Sequence, residues 1–454
     1  MASPLTVLTR YRDFRLLFLA QLVMFGGDWF VMIPLLGLLQ RLTGGGLYGA
    51  LTLAADTGLN ALLLPLSGTV ADRLDRRRIM VLANLAAIGA VLALFAVRSP
   101  GVAFLGPLAV GAVAVAKAFY TPAASAATPN VVDPADLSAA IAVGSSAWGT
   151  MSIVGASLGG VFASVFSPYT CFGLTAAGLA TAAGLVLAVR QPLQRAAEPH
   201  TVRPGPVAAI GESLRYLRHQ PRVFSLVTVK SAVGLGNGVL ALYPVLAVLV
   251  HAGGLGTGLL FAVRGLGALV GPLLLRALLR PARLMIGLAV SMASYGLCYL
   301  AIATVHGLPN GLLFPVILVL IAVAHMAGGG NWAMSSAALQ AEVPDGLRGR
   351  VLATDLMFAT TAIATSQVLI GVLVDRVDTW LLVAGCGAAT LLYSVGWRLV
   401  TLRFAAGGTG TDPDRPDPAG GAPERLDPAG GAAERPGDPQ PAADQQAAPR
   451  PAGS

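Results

Sequence analysis

Long apolar stretches separated by short polar turns run the length of this chain, and each is near the roughly 20 residues a helix needs to cross a bilayer. The pattern predicts spans near 16–39, 47–66, 79–97, 102–120, 137–161, 169–189, 223–250, 257–279, 284–304, 312–334, 351–374 and 380–402, about twelve in all. The longest internal connection, 191–220, separates an N-terminal bundle of six helices (1–190) from a C-terminal bundle of six (221–403). Within that connection, Gly211-Glu212-Ser213-Leu214-Arg215-Tyr216-Leu217-Arg218 reads as a short amphipathic surface helix. Past Phe404 the chain turns to Pro, Ala, Gly, Asp and Glu, with a near-repeat beginning at Asp417 and again at Asp427. Residues 404–454 cannot bury a core and are expected to form a disordered tail.

Arginine placement orients the predicted spans. Alternate connections are strongly basic: Arg10, Arg12 and Arg15; Arg73 with Arg76, Arg77 and Arg78; the segment from Arg190 to Arg222; Arg276 to Arg283; Arg348 and Arg350; and Arg403. The intervening ones hold only Arg41, Arg98 and Arg376. The positive-inside rule makes the basic set cytoplasmic, so both termini lie inside, the span count is even, and a multi-pass protein of a bacterial-type cell membrane is expected. The basic start leads into a span too long for a signal-peptide core, so the first helix is expected to remain as an anchor.

Composition agrees: 55% of residues are hydrophobic and 11% charged, where a soluble chain would be about one quarter charged. The net charge of +8 is shared among separate turns rather than gathered on one face, which argues for lipid headgroups and against nucleic acid as the partner. Cys171, Cys298 and Cys386 lie far apart in apolar segments, suggesting neither a disulfide framework nor a metal site. No phosphate-cradling loop or zinc-binding His/Glu spacing appears, so neither a cofactor nor enzymatic bond-making is expected.

The two halves echo each other. Gly68-Thr-Val-Ala-Asp72-Arg73-Leu-Asp75-Arg76-Arg77-Arg78 follows the second span, and Gly271-Pro-Leu-Leu-Leu275-Arg276-Ala-Leu-Leu-Arg280 follows the eighth, with the glycine and two arginines in the same frame. Val132-Asp133-Pro134-Ala135-Asp136-Leu137 before the fifth span is matched by Val343-Pro344-Asp345-Gly346-Leu347-Arg348 before the eleventh. Parallel six-helix repeats of this kind are a transporter architecture.

The Gly68-x-x-x-Asp72-Arg73-x-x-Arg76-Arg77-Arg78 loop resembles the cytoplasmic motif of the major facilitator superfamily, and the resemblance covers nearly the whole chain except the tail. Within it the chain looks most like bacterial drug, macrolide and siderophore exporters, through Phe14-Arg15, Gly27-Asp28-Trp29 and Val343-Pro-Asp-x-x-Arg348-Gly349-Arg350-Val351. Asp75 stands where the motif usually has Gly. The resemblance implies a switch in which Asp72 meets the N-terminal end of the eleventh helix while Asp355 accepts from Arg76, with Arg77 and Arg78 serving only topology. Gly155-Ala156-Ser157-Leu158-Gly159-Gly160 resembles the antiporter motif of the fifth helix, with Ala156 in place of Pro; packing of small residues alone would also give Gly155, Gly159 and Gly160 that spacing.

Ionisable groups inside spans are functional candidates by default. Asp28 is the expected proton carrier, although a structural pair with a neighbouring helix is an equal alternative. Asp56 and Asn60, four residues apart, share a face of the second helix and are expected to be structural or cavity-lining. Lys117 could snorkel from near the cytoplasmic end, Lys230 interrupts the seventh span, and Arg264 should pair with a carboxylate or line a cavity. His325 and Asn331-Trp332 could touch substrate, but a buried hydrogen-bonded histidine and an interfacial tryptophan are the more ordinary readings. The expected fold is all-α, two six-helix bundles around a central cavity. The expected function is proton-coupled efflux of a small amphipathic molecule, apolar or cationic, with no partner protein inferred. A narrower exporter, an importer of the same fold and a non-transporting scaffold are the alternatives.

Overall fold

The computed structural model describes residues 4–194, 206–275 and 283–406. The tail from residue 407 on, the middle of the 191–220 connection and Arg276 lie outside them. Fifteen α-helices follow in order: α1 (Pro4–Arg10), α2 (Arg12–Thr43), α3 (Leu47–Arg73), α4 (Arg76–Ala93), α5 (Leu105–Ala127), α6 (Leu137–Val165), α7 (Pro168–Leu187), α8 (Pro206–His219), α9 (Pro221–Gly236), α10 (Tyr243–Leu249), α11 (Gly253–Leu275), α12 (Leu284–Thr304), α13 (Asn310–Glu342), α14 (Asp345–Leu373) and α15 (Thr379–Ala406). No strand occurs among the described residues.

Among the described residues, ten helical segments are long and apolar enough to cross a membrane. Helices α3 and α6, of 27 and 29 residues, fill the second and fifth predicted positions. At about 1.5 Å per residue the 32-residue α2 is near 48 Å long, more than the ~30 Å hydrocarbon core requires. The chain is a multi-pass membrane protein, and Leu62, Leu392 and Val165 are among the large apolar side chains left exposed on its surface, as a lipid-facing exterior allows. Helix α8 takes in the amphipathic stretch expected around 211–218, and its Leu217 buries against Val223 and Leu226.

Local chemistry sets several boundaries. Helix α2 ends where Gly44 adopts a left-handed φ of 71° and returns its N–H to Gln40. Asp75 has an extended backbone, φ −60°, and its side chain accepts from the Arg78 N–H at 2.8 Å, capping α4. The turn therefore needs no glycine there, and the aspartate contributes a cap worth about 1 kcal/mol. The seventh span is not continuous: a 3₁₀ stretch from Asn237 to Leu242 separates α9 from α10.

Pairing of the long helices repeats along the chain. In the first half α2 packs on α6 and α7, α3 on α5, and α4 on α5 and α7. In the second, α9 packs on α14 and α15, α11 on α13, and α12 on α13 and α15, the same scheme shifted by six spans. The main contacts between halves, α6 with α11 and α3 with α14, are also related by that shift.

Candidate functional site

Three groups of polar side chains lie within the spans. In the first, Lys117 on α5 reaches Asp28 on α2 and, at 2.7 Å, Asp56 on α3. Asp28 and Lys117 are 7% and 6% exposed, whereas Asp56 keeps 19% of its side chain exposed. The lysine is thus shared by two carboxylates, and the outer oxygen of Asp28, Oδ1, is buried without a hydrogen-bond partner. Two acids and one base leave this group one negative charge in excess when all are ionised. The sequence expectation that Lys117 snorkels is corrected: it stands mid-helix, and the two carboxylates supply the pairing that makes its burial tolerable. Asn60, one turn beyond Asp56, is half-buried and joins no hydrogen bond among the described residues.

The second group belongs to the other half. Lys230 on α9 pairs with Asp355 on α14, donates to the Ser336 hydroxyl at 2.8 Å, and lies 5.1 Å from the centre of the Trp332 ring on α13. Trp332 is therefore a cation–π partner inside the bundle, not an interfacial anchor. Asp355 does not accept from Arg76, which corrects the pairing the resemblance implied. Arg76 donates instead to the carbonyls of Ala126 at 2.7 Å and Leu193 at 3.1 Å. With those carbonyls at hand and Lys230 closer to Asp355, neither charge needs the other. Arg77 also does more than mark topology, donating to the Gln191 carbonyl at 3.0 Å, so the two arginines fasten the chain leaving α7. The side chains of Gly68, Asp72 and Arg73 lie outside those described.

The third group joins α10, α12 and α13. The Tyr243 and Tyr299 hydroxyls are 2.8 Å apart, and His325 Nε2 lies 2.9 Å from Tyr299 and 3.4 Å from Tyr243. His325 is 4% exposed and so a buried, hydrogen-bonded histidine. Asn331, fully buried, donates to the Ser291 hydroxyl at 3.1 Å. Tyr243 leads to the boundary between halves: its ring meets Phe261 of α11 at 5.0 Å, and Phe261 meets Trp29 of α2 at 5.8 Å. Arg264, one turn on from Phe261, places its guanidinium 5.4 Å from the centre of the Trp29 ring. The carboxylate partner expected for Arg264 is absent among the described residues, and its Nε is buried without a hydrogen bond.

At one end of the molecule the halves close tightly. A Cβ on Gly160 of α6 would lie 2.6 Å from the Gly258 Cα of α11, and one on Gly371 of α14 would lie 2.6 Å from the Ala50 Cβ of α3. Gly155 and Gly159 instead face α2, where a Cβ would meet the Gly26 and Phe30 carbonyl oxygens at 2.6 and 2.8 Å. The predicted small-residue motif thus serves two neighbours, with Gly160 alone turned to the other half. At the same end Gly46, at the start of α3, donates its N–H to the Asp375 carboxylate just beyond α14 at 2.8 Å. Thr43, Gln40 and Arg376 border a cavity of about 500 Å³ beside it.

Sequence alone named Asp28, Asp56, Lys117, Lys230 and Asp355 one by one but not the links that join them, and it passed over Asp375. The cue available for Lys117 and Lys230 was the cost of an unpaired cation in a span, which demands a partner without saying which.

No curated protein matches this chain by sequence. Solved structures do match by fold. A nucleoside transporter, NupG, superposes with a TM-score of 0.69 at 13% identity, over 85% of this chain and 99% of its own. A peptide transporter of the POT family, bound to alafosfalin, gives 0.68 at 13%, over 89% and 99%. A bacterial homologue of the human lysosomal transporter Spinster, inward-facing and unoccupied, gives 0.60 at 16%, over 87% and 95%. The family profile described as Major Facilitator Superfamily matches residues 17–363. Helical pairing repeated in two halves, buried charge groups inside the spans and this match place the chain in the Major Facilitator Superfamily.

Proposed function

We propose that this protein is a secondary active transporter that exports a small amphipathic molecule in exchange for protons, rocking two six-helix bundles around a central site. The observation that carries the reading is the group Asp28–Lys117–Asp56, a buried cation divided between two acids on three helices of one bundle. Protonation of Asp28 would remove one of the two holds on Lys117 and leave the other, at Asp56, intact. The helices would then be free to change their spacing without an orphaned charge, which is how a proton can bias a rigid-body equilibrium. Under the positive-inside rule the closed end, with Gly160 against Gly258 and Gly46 on Asp375, is extracellular and both termini are cytoplasmic.

The reading is tested by loading cells that lack their main efflux pumps with a panel of lipophilic dyes and antibiotics, expressing the chain, and adding or omitting a protonophore. Export predicts lower accumulation that the protonophore reverses. Asp28→Asn should abolish pH-gradient-driven flux in proteoliposomes; full flux with unchanged pH dependence would remove Asp28 from the coupling role. Gradient-driven flux of the opposite sign would favour an importer of this fold. No flux would leave a single-metabolite exporter, such as one for a siderophore, or a non-transporting scaffold.

A further inference from the structure

Resting on the transport reading, we propose that the substrate carries an anionic group, a carboxylate on an aromatic or similarly flat apolar body, and that Arg264 is the residue that binds it. Three cations stand in the middle of the spans. Lys117 has two carboxylates and Lys230 has one, while Arg264 has none among the described residues. Its Nε is buried with no acceptor while the side chain as a whole is half-buried, so the rest of the guanidinium stays open to a ligand, and a cation without a counter-charge is costly to hold at membrane depth. Such a group persists where something else supplies the acceptor.

The surroundings define what that something looks like. Arg264 lies over Trp29, so one face of the guanidinium is covered by a ring from the opposite half. Phe261 and Tyr243 extend the aromatic surface from Trp29 into the second half. The Tyr243–Tyr299–His325 network stands near Arg264 but is internally hydrogen-bonded, so it offers no negative charge to neutralise it. A planar carboxylate matches the fork of a guanidinium, and an aromatic body matches the Trp29–Phe261 surface beside it. Because Trp29 belongs to α2 and Arg264 to α11, a ligand held by both would bridge the two halves. That gives it a different grip in each state, as a transported molecule must have. The amphipathic acid proposed here departs from the sequence-based expectation of an apolar or cationic substrate.

The test uses the purified full chain and three probes of one shape: naphthoate, its uncharged carboxamide, and naphthylmethylammonium. Binding is read by calorimetric titration and by the rise in unfolding temperature. The proposal expects wild-type protein to prefer naphthoate over the amide by about tenfold or more, the range of a charge-assisted contact. Arg264→Gln should erase that preference, and Arg264→Lys should keep part of it. Equal binding of acid and amide by the wild type overturns the proposal with no variant needed, as does a preference for the ammonium probe. A preference for the acid that survives in Arg264→Gln also overturns it. Proteoliposome flux is measured separately: acid-selective binding without flux would sink the transport reading and leave the anion site standing.

Discussion

Replacing Lys117 with methionine keeps a long unbranched side chain in place and removes only its charge. Asp28, 7% exposed, then loses the one ion-pair partner it has among the described residues. Removing one member of a buried pair costs about 3–5 kcal/mol, because the remaining charge stays desolvated. Asp56, with 19% of its side chain exposed, can turn to water, so its share is about 1 kcal/mol or less. The deficit should shrink as pH falls, since a protonated Asp28 no longer presents an uncompensated charge. Adding Asp28→Asn to Lys117→Met should recover about 2 kcal/mol or more, a coupling well outside the additive range. Equilibrium unfolding of the purified chain in mixed micelles, at neutral and mildly acidic pH, measures each corner of the cycle. Lys117→Met matching the wild type at neutral pH would refute the reasoning, and so would a double variant no more stable than the single one.

Gly160→Val would drive a methyl group into the Gly258 backbone and should hold the closed end open while leaving each half folded; labelling of a cysteine placed at Thr43 rises, with helical circular dichroism unchanged. Asp375→Ala removes the acceptor for the Gly46 N–H at the start of α3, and labelling at the same position should rise about tenfold, equivalent to ~1.4 kcal/mol; Asp375→Asn, which keeps an oxygen but loses the charge, should fall between. Tyr11, whose hydroxyl meets Asp133 at 2.8 Å and Asp136 at 2.9 Å, has its phenol pushed up to about 12 by partial burial and by those hydrogen bonds. A raised phenol pKa supports the fold below the unfolded value near 10 and loses that support as pH climbs towards 12, so Tyr11→Phe should lower stability at neutral pH and flatten the alkaline profile, its difference from the wild type fading between pH 10 and 12.

The spans were legible because lipid forces long uninterrupted apolar helices, and α2, α12 and α15 begin or end within a few residues of the pattern. The break after α9 was not, since the residues of 237–242 are as apolar as their neighbours and only packing shows the 3₁₀ geometry. Asp28 stood out as an acid in a span, but its link to Lys117 joins positions 89 apart, and no local rule connects them. Lys230 and Asp355 are 125 apart and were read separately, one as an interruption and the other through the Arg76 switch. The Arg76 pairing came from a motif, and the geometry departs from it where backbone carbonyls at Ala126 and Leu193 offered Arg76 nearer acceptors. The docking of Gly46 on Asp375 was not legible because the carboxylate arrives from 329 residues away.

The interruption between α9 and α10 turns one membrane crossing into two rods joined by a coupling. All six residues from Asn237 to Leu242 are buried, the setting in which irregular backbone is tolerated at membrane depth, and Asn237 gives its side-chain amide to the Val233 carbonyl at 3.0 Å where the regular ladder ends. One rod carries Lys230 and its ion pair; the other carries Tyr243 and the aromatic path to Trp29. A torque applied to the second rod can be absorbed at the joint before it reaches the first. The seventh crossing can therefore bend at the centre of the bundle while the buried Lys230–Asp355 pair stays whole.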